Sequence, residues 1–185
     1  METFAEPREF VENSRYSQDR QETLAALDLG TIDEPIVDIV ADFAALPHCF
    51  PLQSCVGHFV CLPGQDARTL DPVPTGYAGE VRYRIAYVAL CIENSRRGRT
   101  FRDSIGKIPA MDPAYIQFGS ADWFWEQWVN SYTLQVEPMA HMRKDEAILN
   151  VTEALRIQKT RDLFFDGLRK LLSRELGERL NGPPG

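Results

Sequence analysis

The sequence predicts a single α+β domain built on a mainly antiparallel sheet, and three observations carry that expectation. The chain has 185 residues, 44% apolar and 25% charged, which suffices to bury roughly 70% of the unfolded surface of one domain in a core. Helical and strand periodicities come in the order helix, strands, hairpin, helix, strand, helix, rather than in the strict alternation of a parallel βαβ architecture. No block recurs at a fixed period, and no linker-like stretch divides the chain, so residues 1–185 read as one domain.

From Glu6 to Leu29 the apolar residues Phe10, Tyr16, Leu24 and Leu27 are sparse among charges. Residues 1–30 therefore read as a mostly solvated helical region or a broken pair of helices, stopped at Leu29-Gly30. A firmer helix covers 33–46. Thr31-Ile32-Asp33-Glu34-Pro35 supplies a cap and an acidic first turn, and Ile36, Val37, Ile39, Val40, Phe43 and Leu46 recur at helical spacing. Pro47 ends it, and Pro51 holds the next residues extended as they enter the Cys55 segment.

Cys55 to Leu62 is compatible with a strand. Leu62 to Tyr77 is rich in Pro, Gly and Asp and reads as a loop long enough to act as a lid. Val81 to Ile92 alternates as a strand, with Tyr83, Ile85, Tyr87, Ala89 and Cys91 on one face. A turn over Asn94–Gly98 and a second strand near Arg99–Ile105 would complete a hairpin. Tyr115–Phe118 is a further short strand. Ala121 to Asn130 groups Trp125, Trp128 and Val129 at helical spacing, a cluster that more often packs a core edge than stacks on a ligand. Tyr132, Leu134 and Val136 alternate into Glu137-Pro138, where proline marks an edge position or a strand end. Asp145 to Leu180 carries Ile148, Val151, Leu155, Phe164, Leu168, Leu171, Leu172 and Leu176 at helical intervals, as one long helix or two joined near Lys159-Thr160. Residues 181–185 form a flexible tail.

A net charge of −7 and a pI near 5.0 argue against a general polyanion binder, since such affinity comes from Lys and Arg neutralising phosphates. Arg82, Arg84, Arg96, Arg97, Arg99 and Arg102 form either a solvated face of the hairpin or a local basic patch. No apolar run approaches the ~20 residues that span a bilayer. The start lacks the basic opening and apolar stretch of a signal peptide, so a cytoplasmic location is expected.

Four cysteines, at 49, 55, 61 and 91, form no CxxC pair and are expected as reduced thiols. His48, Cys49, Cys55, His58 and Cys61 lie close in sequence. On one continuous strand, however, Cys55 and Cys61 would share a face about 20 Å apart, and Cys55 and His58 would point to opposite faces. A tetrahedral metal site then needs a sharp bend, which a bulge at Gly57 could supply. No metal is expected.

Two segments concentrate the chemistry: Ser54-Cys55-Val56-Gly57-His58 and Val136-Glu137-Pro138-Met139-Ala140-His141. Ser54 and Cys55 offer a nucleophile, a donor or a clamp, and a nucleophilic thiol needs a base nearby. On the strand reading His58 faces away, so His141 is the better partner. Cys55 alone also fits a buried small side chain beside a tight turn. Gly57 permits positive φ or close ligand approach. Glu137 at a strand end could receive a proton or hold an amine, and equally fits a plain surface glutamate. His141 alone fits a satisfied sheet histidine.

In this order the features resemble the wybutosine-synthesising tRNA methyltransferases, which methylate a tricyclic guanine derivative using S-adenosylmethionine. That family has an amphipathic helix leading through a short extended link into Ser-Cys-x-Gly-Arg, and later a strand ending in Glu-Pro followed by a His. Here the first part is Ile36–Leu46 and Gln53-Ser54-Cys55-Val56-Gly57-His58. The second is Leu134-Gln135-Val136-Glu137-Pro138-Met139-Ala140-His141. The likeness covers roughly two-thirds of the chain in order and rests on these two motifs. His58 stands where the family has Arg, and Gln158-Lys159-Thr160-Arg161-Asp162 stands where a Ser-Gly-Ile segment would.

The resemblance implies S-adenosylmethionine as methyl donor and tRNA or a nucleotide-like small molecule as partner. It implies catalytic roles for Cys55, Glu137 and His141, and binding roles for Ser54, Gly57, His58 and Pro138. No Rossmann glycine fingerprint occurs, so the donor would bind in another manner. The alternative is a non-catalytic nucleotide- or protein-binding module that keeps the fold and pocket. A redox-sensing Cys55 is a third reading and requires an exposed thiolate with a resolving cysteine. Self-association stays open.

Overall fold

The computed structural model describes residues 4–138 and 145–181, with side chains described as far as residue 177. In chain order the elements are β1 (Phe4–Ala5), α1 (Tyr16–Ala26), α2 (Val37–Ala45), β2 (Cys49–Cys55), β3 (His58–Val60), β4 (Glu80–Arg84), β5 (Ala86–Ile92), α3 (Arg96–Ile105), β6 (Ile116–Ala121), α4 (Asp122–Gln127), β7 (Ser131–Val136), β8 (Glu146–Asn150) and α5 (Val151–Asn181), with short 3₁₀ turns at Leu29–Thr31, Glu34–Ile36 and Ile108–Met111. Two antiparallel sheets result, one in the order β1-β6-β7-β5-β2 and one in the order β3-β4-β8. The architecture is α+β.

The core lies where one face of the five-stranded sheet meets α2 and α5. Val88, Leu90, Ile92, Leu134 and Val136 from the sheet pack with Ile39 and Phe43 of α2 and with Ile157, Phe164, Leu168 and Leu172 of α5. Those α5 positions lie seven, four and four residues apart, one or two helical turns, and bury one stripe. Each such side chain contributes about 1.5–3 kcal/mol on full burial, so α5 is anchored from Ile157 to Leu172. It runs unbroken through Lys159-Thr160, where the Thr160 hydroxyl bonds the Asp112 carboxylate at 3.1 Å.

Several local expectations change. Val81–Ile92 is not one strand, because it divides at Ile85 between β4 in one sheet and β5 in the other. Cys55–Leu62 divides likewise at Val56-Gly57. The two breaks face each other: Cys55 pairs with Tyr87 before the corner and His58 with Arg84 after it. A two-stranded ribbon thus bends from one sheet into the next. The inward positions shift by one at the corner, from Val81, Tyr83 and Ile85 to Ala86, Val88, Leu90 and Ile92, so Tyr83 and Ile85 do not share a face with Ala89 and Cys91; the unbroken apolar run from Ile85 to Ile92 hides that shift in the sequence.

Arg96–Ile105 is the helix α3, not the second strand of a hairpin. Ser95 caps it, its hydroxyl accepting the Gly98 N–H at 3.1 Å, and Phe101 and Ile105 bury one face at helical spacing. Residues 146–150 form β8 rather than the start of a helix. Ala147 and Leu149 are buried there while Ile148 is exposed, and the Asn150 carboxamide accepts the Glu153 N–H at 2.9 Å to open α5. Residues 6–15 lie outside any helix, and α1 occupies only 16–26. Strand β7 is central, with Pro138 beyond its end, so the proline marks a strand end and not an edge.

The loop expected as a lid is tethered. Gln65 accepts the Cys61 and Leu62 N–H groups at 2.8 and 3.1 Å, Thr69 O contacts His58 Nδ1 at 3.0 Å, and Val73 donates its N–H to Gln158 Oε1 on α5 at 2.8 Å. Among the described residues no helix is long and apolar enough to cross a membrane.

Candidate functional site

The first motif sits on the corner between the sheets. Gly57 has φ 81°, a left-handed conformation that a side chain disfavours. A Cβ there would meet Ala86 Cβ at 2.8 Å and Ala86 N at 3.1 Å. Its carbonyl accepts the Arg161 guanidinium from α5 at 3.1 Å, and that guanidinium also lies over the Phe59 ring, 5.1 Å from its centroid.

The bend reverses the relation between Cys55 and His58. A straight strand turns them apart, but here one ligand atom each of Asp33, Cys55 and His58 lies within 4.8 Å of the others. His58 Nε2 is 3.5 Å from Asp33 Oδ2, and the same carboxylate oxygen accepts the Val56 N–H at 2.9 Å. His58 is therefore the neighbour of Cys55. His141, together with Met139 and Ala140, lies outside the described residues. Asp33, read from sequence only as part of a helix cap, is the member that sequence reasoning missed.

The Cys55 thiol is pushed up from its ordinary value, first by burial, against the pull of the Gly57 N–H, with Asp33 adding to the rise. All four cysteines are free and buried. The exposed thiolate that a redox sensor needs is absent among the described residues.

The second motif lies at the same end of the five-stranded sheet. Cys55, Tyr87, Gln135 and Gln117 are successive cross-strand partners on β2, β5, β7 and β6, so they share a face. That puts the two motifs two strand spacings apart, about 10 Å. Gln135 Nε2 donates to Gln117 Oε1 at 3.1 Å and to Glu137 Oε2 at 3.0 Å. Gln117 Nε2 donates to the Glu137 carbonyl at 3.0 Å. Glu137 is 1% exposed, and its other carboxylate oxygen has no hydrogen-bond partner among the described residues. Burial first, and then the Asp145 charge, push its carboxyl up from 4.5 to about 8. The plain surface glutamate is thereby replaced by a buried acid that titrates near neutrality. Pro138 is buried beside it.

Tyr83 links the halves. Its hydroxyl donates to Val136 O at 2.8 Å and accepts the Ala86 N–H at 2.9 Å. Its ring stacks on Phe59 at 4.8 Å. Tyr83, Gln117, Gln135 and Arg161 carry no motif in the sequence, because their roles depend on sheet register and on where α5 packs.

At the corner a cleft of about 250 Å³ is lined by Pro35, Val56, Leu70, Arg161, Asp162, Phe165, Asp166 and Arg169. Arg169 holds Asp38 through two bonds, at 2.6 and 3.1 Å, and also donates to Pro35 O. Cys55 begins the polar row and Val56 lines the cleft, so the two meet at this turn. Ser54 is half-buried on β2, an edge strand.

The arginines do not form one hairpin face. Arg82 and Arg84 lie on β4, while Arg96, Arg97, Arg99 and Arg102 lie on α3. Arg99 and Arg102 sit over Phe10, at 5.2 and 4.7 Å from its centroid. The tryptophans behave as a core edge in part: Trp125 lies edge-on to Tyr132 at 6.1 Å, and Trp128 packs near Phe50 and Ala89. Trp123 is 61% exposed.

No protein-family model matches the chain, and no curated protein matches it. Solved structures do. The structure of the PH1069 protein from Pyrococcus horikoshii is 10% identical, covering 86% of this chain and 95% of that one, with a TM-score of 0.52. A second structure of PH1069, from strain OT3, is 11% identical over 88% of this chain and 94% of that one, with a TM-score of 0.50. A hypothetical protein from Aeropyrum pernix is 9% identical over 77% and 96%, with a TM-score of 0.43. The likeness to PH1069 shows a shared α+β fold.

Proposed function

We propose that the protein is an S-adenosylmethionine-dependent methyltransferase, of the kind its two motifs resemble, acting on a ring nitrogen of a purine-like substrate. The observation that supports this most is Glu137, a buried carboxyl that titrates near 8 at the end of a polar row leading to Cys55. A base poised close to the working pH can take the proton that a nitrogen releases on methylation. Gln117 and Gln135 would offer amide groups to the substrate's hydrogen-bonding edge, and Tyr87, half-buried between Cys55 and Gln135 in the row, an aromatic surface. Tyr87 is half-buried while Cys55, Gln117, Gln135 and Glu137 are buried, so substrate would enter the row at Tyr87.

The cleft's side chains fit the methyl donor. Arg161 and Arg169 match a carboxylate, Asp162 and Asp166 an ammonium, and Val56, Leu70 and Phe165 a flat base. Its volume lies just below the ~300–1,000 Å³ usual for small-molecule sites, enough for one end of the donor. S-adenosylmethionine would supply an electrophilic methyl on a sulfonium. The chain's own contribution would be to hold nucleophile and donor in line, with the Arg161 bond to Gly57 O fixing the turn where cleft and row meet.

A non-catalytic binding module is the second reading, favoured by one observation: Arg161 and Arg169 already bond Gly57 O, Pro35 O and Asp38. Calorimetric titration with S-adenosylmethionine, alone and with bulk tRNA present, separates the two. Methyl transfer predicts saturable binding weakened at least about tenfold in Arg161→Ala, a loss of about 1.4 kcal/mol, and unaltered in Glu137→Gln. No binding under either condition rejects the enzyme reading.

A further inference from the structure

We infer that Asp33, Cys55 and His58 form a three-ligand site for a divalent transition metal of the zinc type, with a fourth position left open. The bend at Gly57 gathers one oxygen, one sulfur and one nitrogen donor within 4.8 Å of one another. That is the donor chemistry zinc accepts, at bond lengths of about 2.0–2.3 Å. Those lengths place ligand atoms in a tetrahedral site some 3.3–3.8 Å apart, and the His58 Nε2 to Asp33 Oδ2 separation is 3.5 Å. Only a contraction on the scale of a side-chain rotation separates the widest pair from a closed site.

The surrounding bonds are those of a ligand set. His58 is 2% exposed, and its Nδ1 lies 3.0 Å from the Thr69 carbonyl. A carbonyl can only accept, so Nδ1 carries a proton and Nε2 is the ring atom available to a metal, facing Asp33. The Val56 N–H fixes the Asp33 carboxylate, and the Gly57 N–H is directed at the Cys55 sulfur at 3.5 Å. A thiolate, a carboxylate and a neutral imidazole carry a charge of minus two, which a divalent ion cancels. Asp33 is half-buried and gives the ion an entry from solvent. Binding transfers the thiol proton to water and forms the metal–sulfur bond, with no change of oxidation state.

The inference is independent of methyl transfer, and its test uses no activity. Chelator-stripped full-length protein is titrated with cobalt(II), then back-titrated with zinc(II). One equivalent of cobalt should give visible d–d bands and a near-ultraviolet thiolate-to-metal charge-transfer band, both erased by zinc. Cys55→Ser should remove the charge-transfer band, and His58→Gln should weaken binding by at least about 100-fold, beyond what loss of a residue that merely supports a ligand usually costs. Cys61→Ser should change neither. Absence of the thiolate band in the wild type, or its persistence in Cys55→Ser, overturns the site and leaves Asp33 and His58 as a side-chain contact without a metal. Should a core variant fail to fold by circular dichroism, X-ray absorption of the zinc-loaded wild type decides: one sulfur with nitrogen and oxygen neighbours supports the site, and a shell without sulfur refutes it.

Discussion

Replacing Glu137 by Gln removes a titratable proton from the interior at nearly constant shape, and the structure sets the size of the effect. The folded carboxyl titrates near 8 instead of 4.5, so the fold prefers its neutral form. Below pH 4.5 both folded and unfolded chains carry the proton and the group costs nothing. As pH rises toward 8 the unfolded chain releases it while the folded chain retains it, and stability falls by about 1.4 kcal/mol per pH unit. At pH 7 the full linkage is ~3.4 kcal/mol, and relaxation with water reaching the ionised carboxylate would reduce it to roughly half, ~1.7 kcal/mol. The Gln variant escapes this penalty. Its new NH₂ group adds a pH-independent cost of about 1 kcal/mol where the carboxylate oxygen already lacks a partner. Urea unfolding of both proteins at pH 5, 6, 7 and 8 should therefore show the variant gaining on the wild type steadily with pH, by about 1.5–2 kcal/mol between pH 5 and 8 after that relaxation. A difference that stays flat over that range would refute the raised titration, and with it the case for Glu137 as a proton acceptor. If Glu137 is the base, the same variant loses turnover while gaining stability at neutral pH.

Gly57→Ala should destabilise by ~2–4 kcal/mol in chemical denaturation, since it combines an unfavourable positive φ with a contact against Ala86. Tyr83→Phe leaves the Val136 carbonyl and the Ala86 N–H without their shared hydroxyl and should cost about 1–3 kcal/mol in the same assay. Arg169→Ala should cost ~0.5–1 kcal/mol, less at high salt. Because the Arg169 hydrogen bond holds the Asp38 carboxyl below its ordinary range, that stabilisation is present at neutral pH and is lost as pH falls through the lowered Asp38 value; melting curves at pH 7 and pH 3 read it. The four buried thiols should react with a thiol reagent only as fast as the protein opens, so labelling rates rise with denaturant.

The α+β class, the helix from about Asp33 to Leu46, the strand ending before Glu137 and the helical pattern of α5 were legible because each depends on neighbours in the chain. Ile39, Val40 and Phe43 bury one face of α2 because 3.6-residue spacing puts them there whatever they meet. The strand expected near Arg99–Ile105 failed because the Ser95 cap and the four-residue spacing of Phe101 and Ile105 make that segment helical. The strand reading of 81–92 failed for another reason: the inward positions move from 81, 83 and 85 to 86, 88, 90 and 92 where the ribbon changes sheets, and the continuous apolar run from Ile85 to Ile92 does not show that shift.

Local sequence determined which residues could do chemistry and that Gly57 would tolerate an unusual backbone. Tertiary structure alone decided their relations. It set Cys55 beside His58 and Asp33 rather than back to back, aligned Cys55 with Gln135 across β5, and buried Glu137 far enough to move its titration to about 8. Residue type and spacing constrain torsions within a few positions, whereas proximity between distant segments and desolvation arise only when sheets pair and helices close over them.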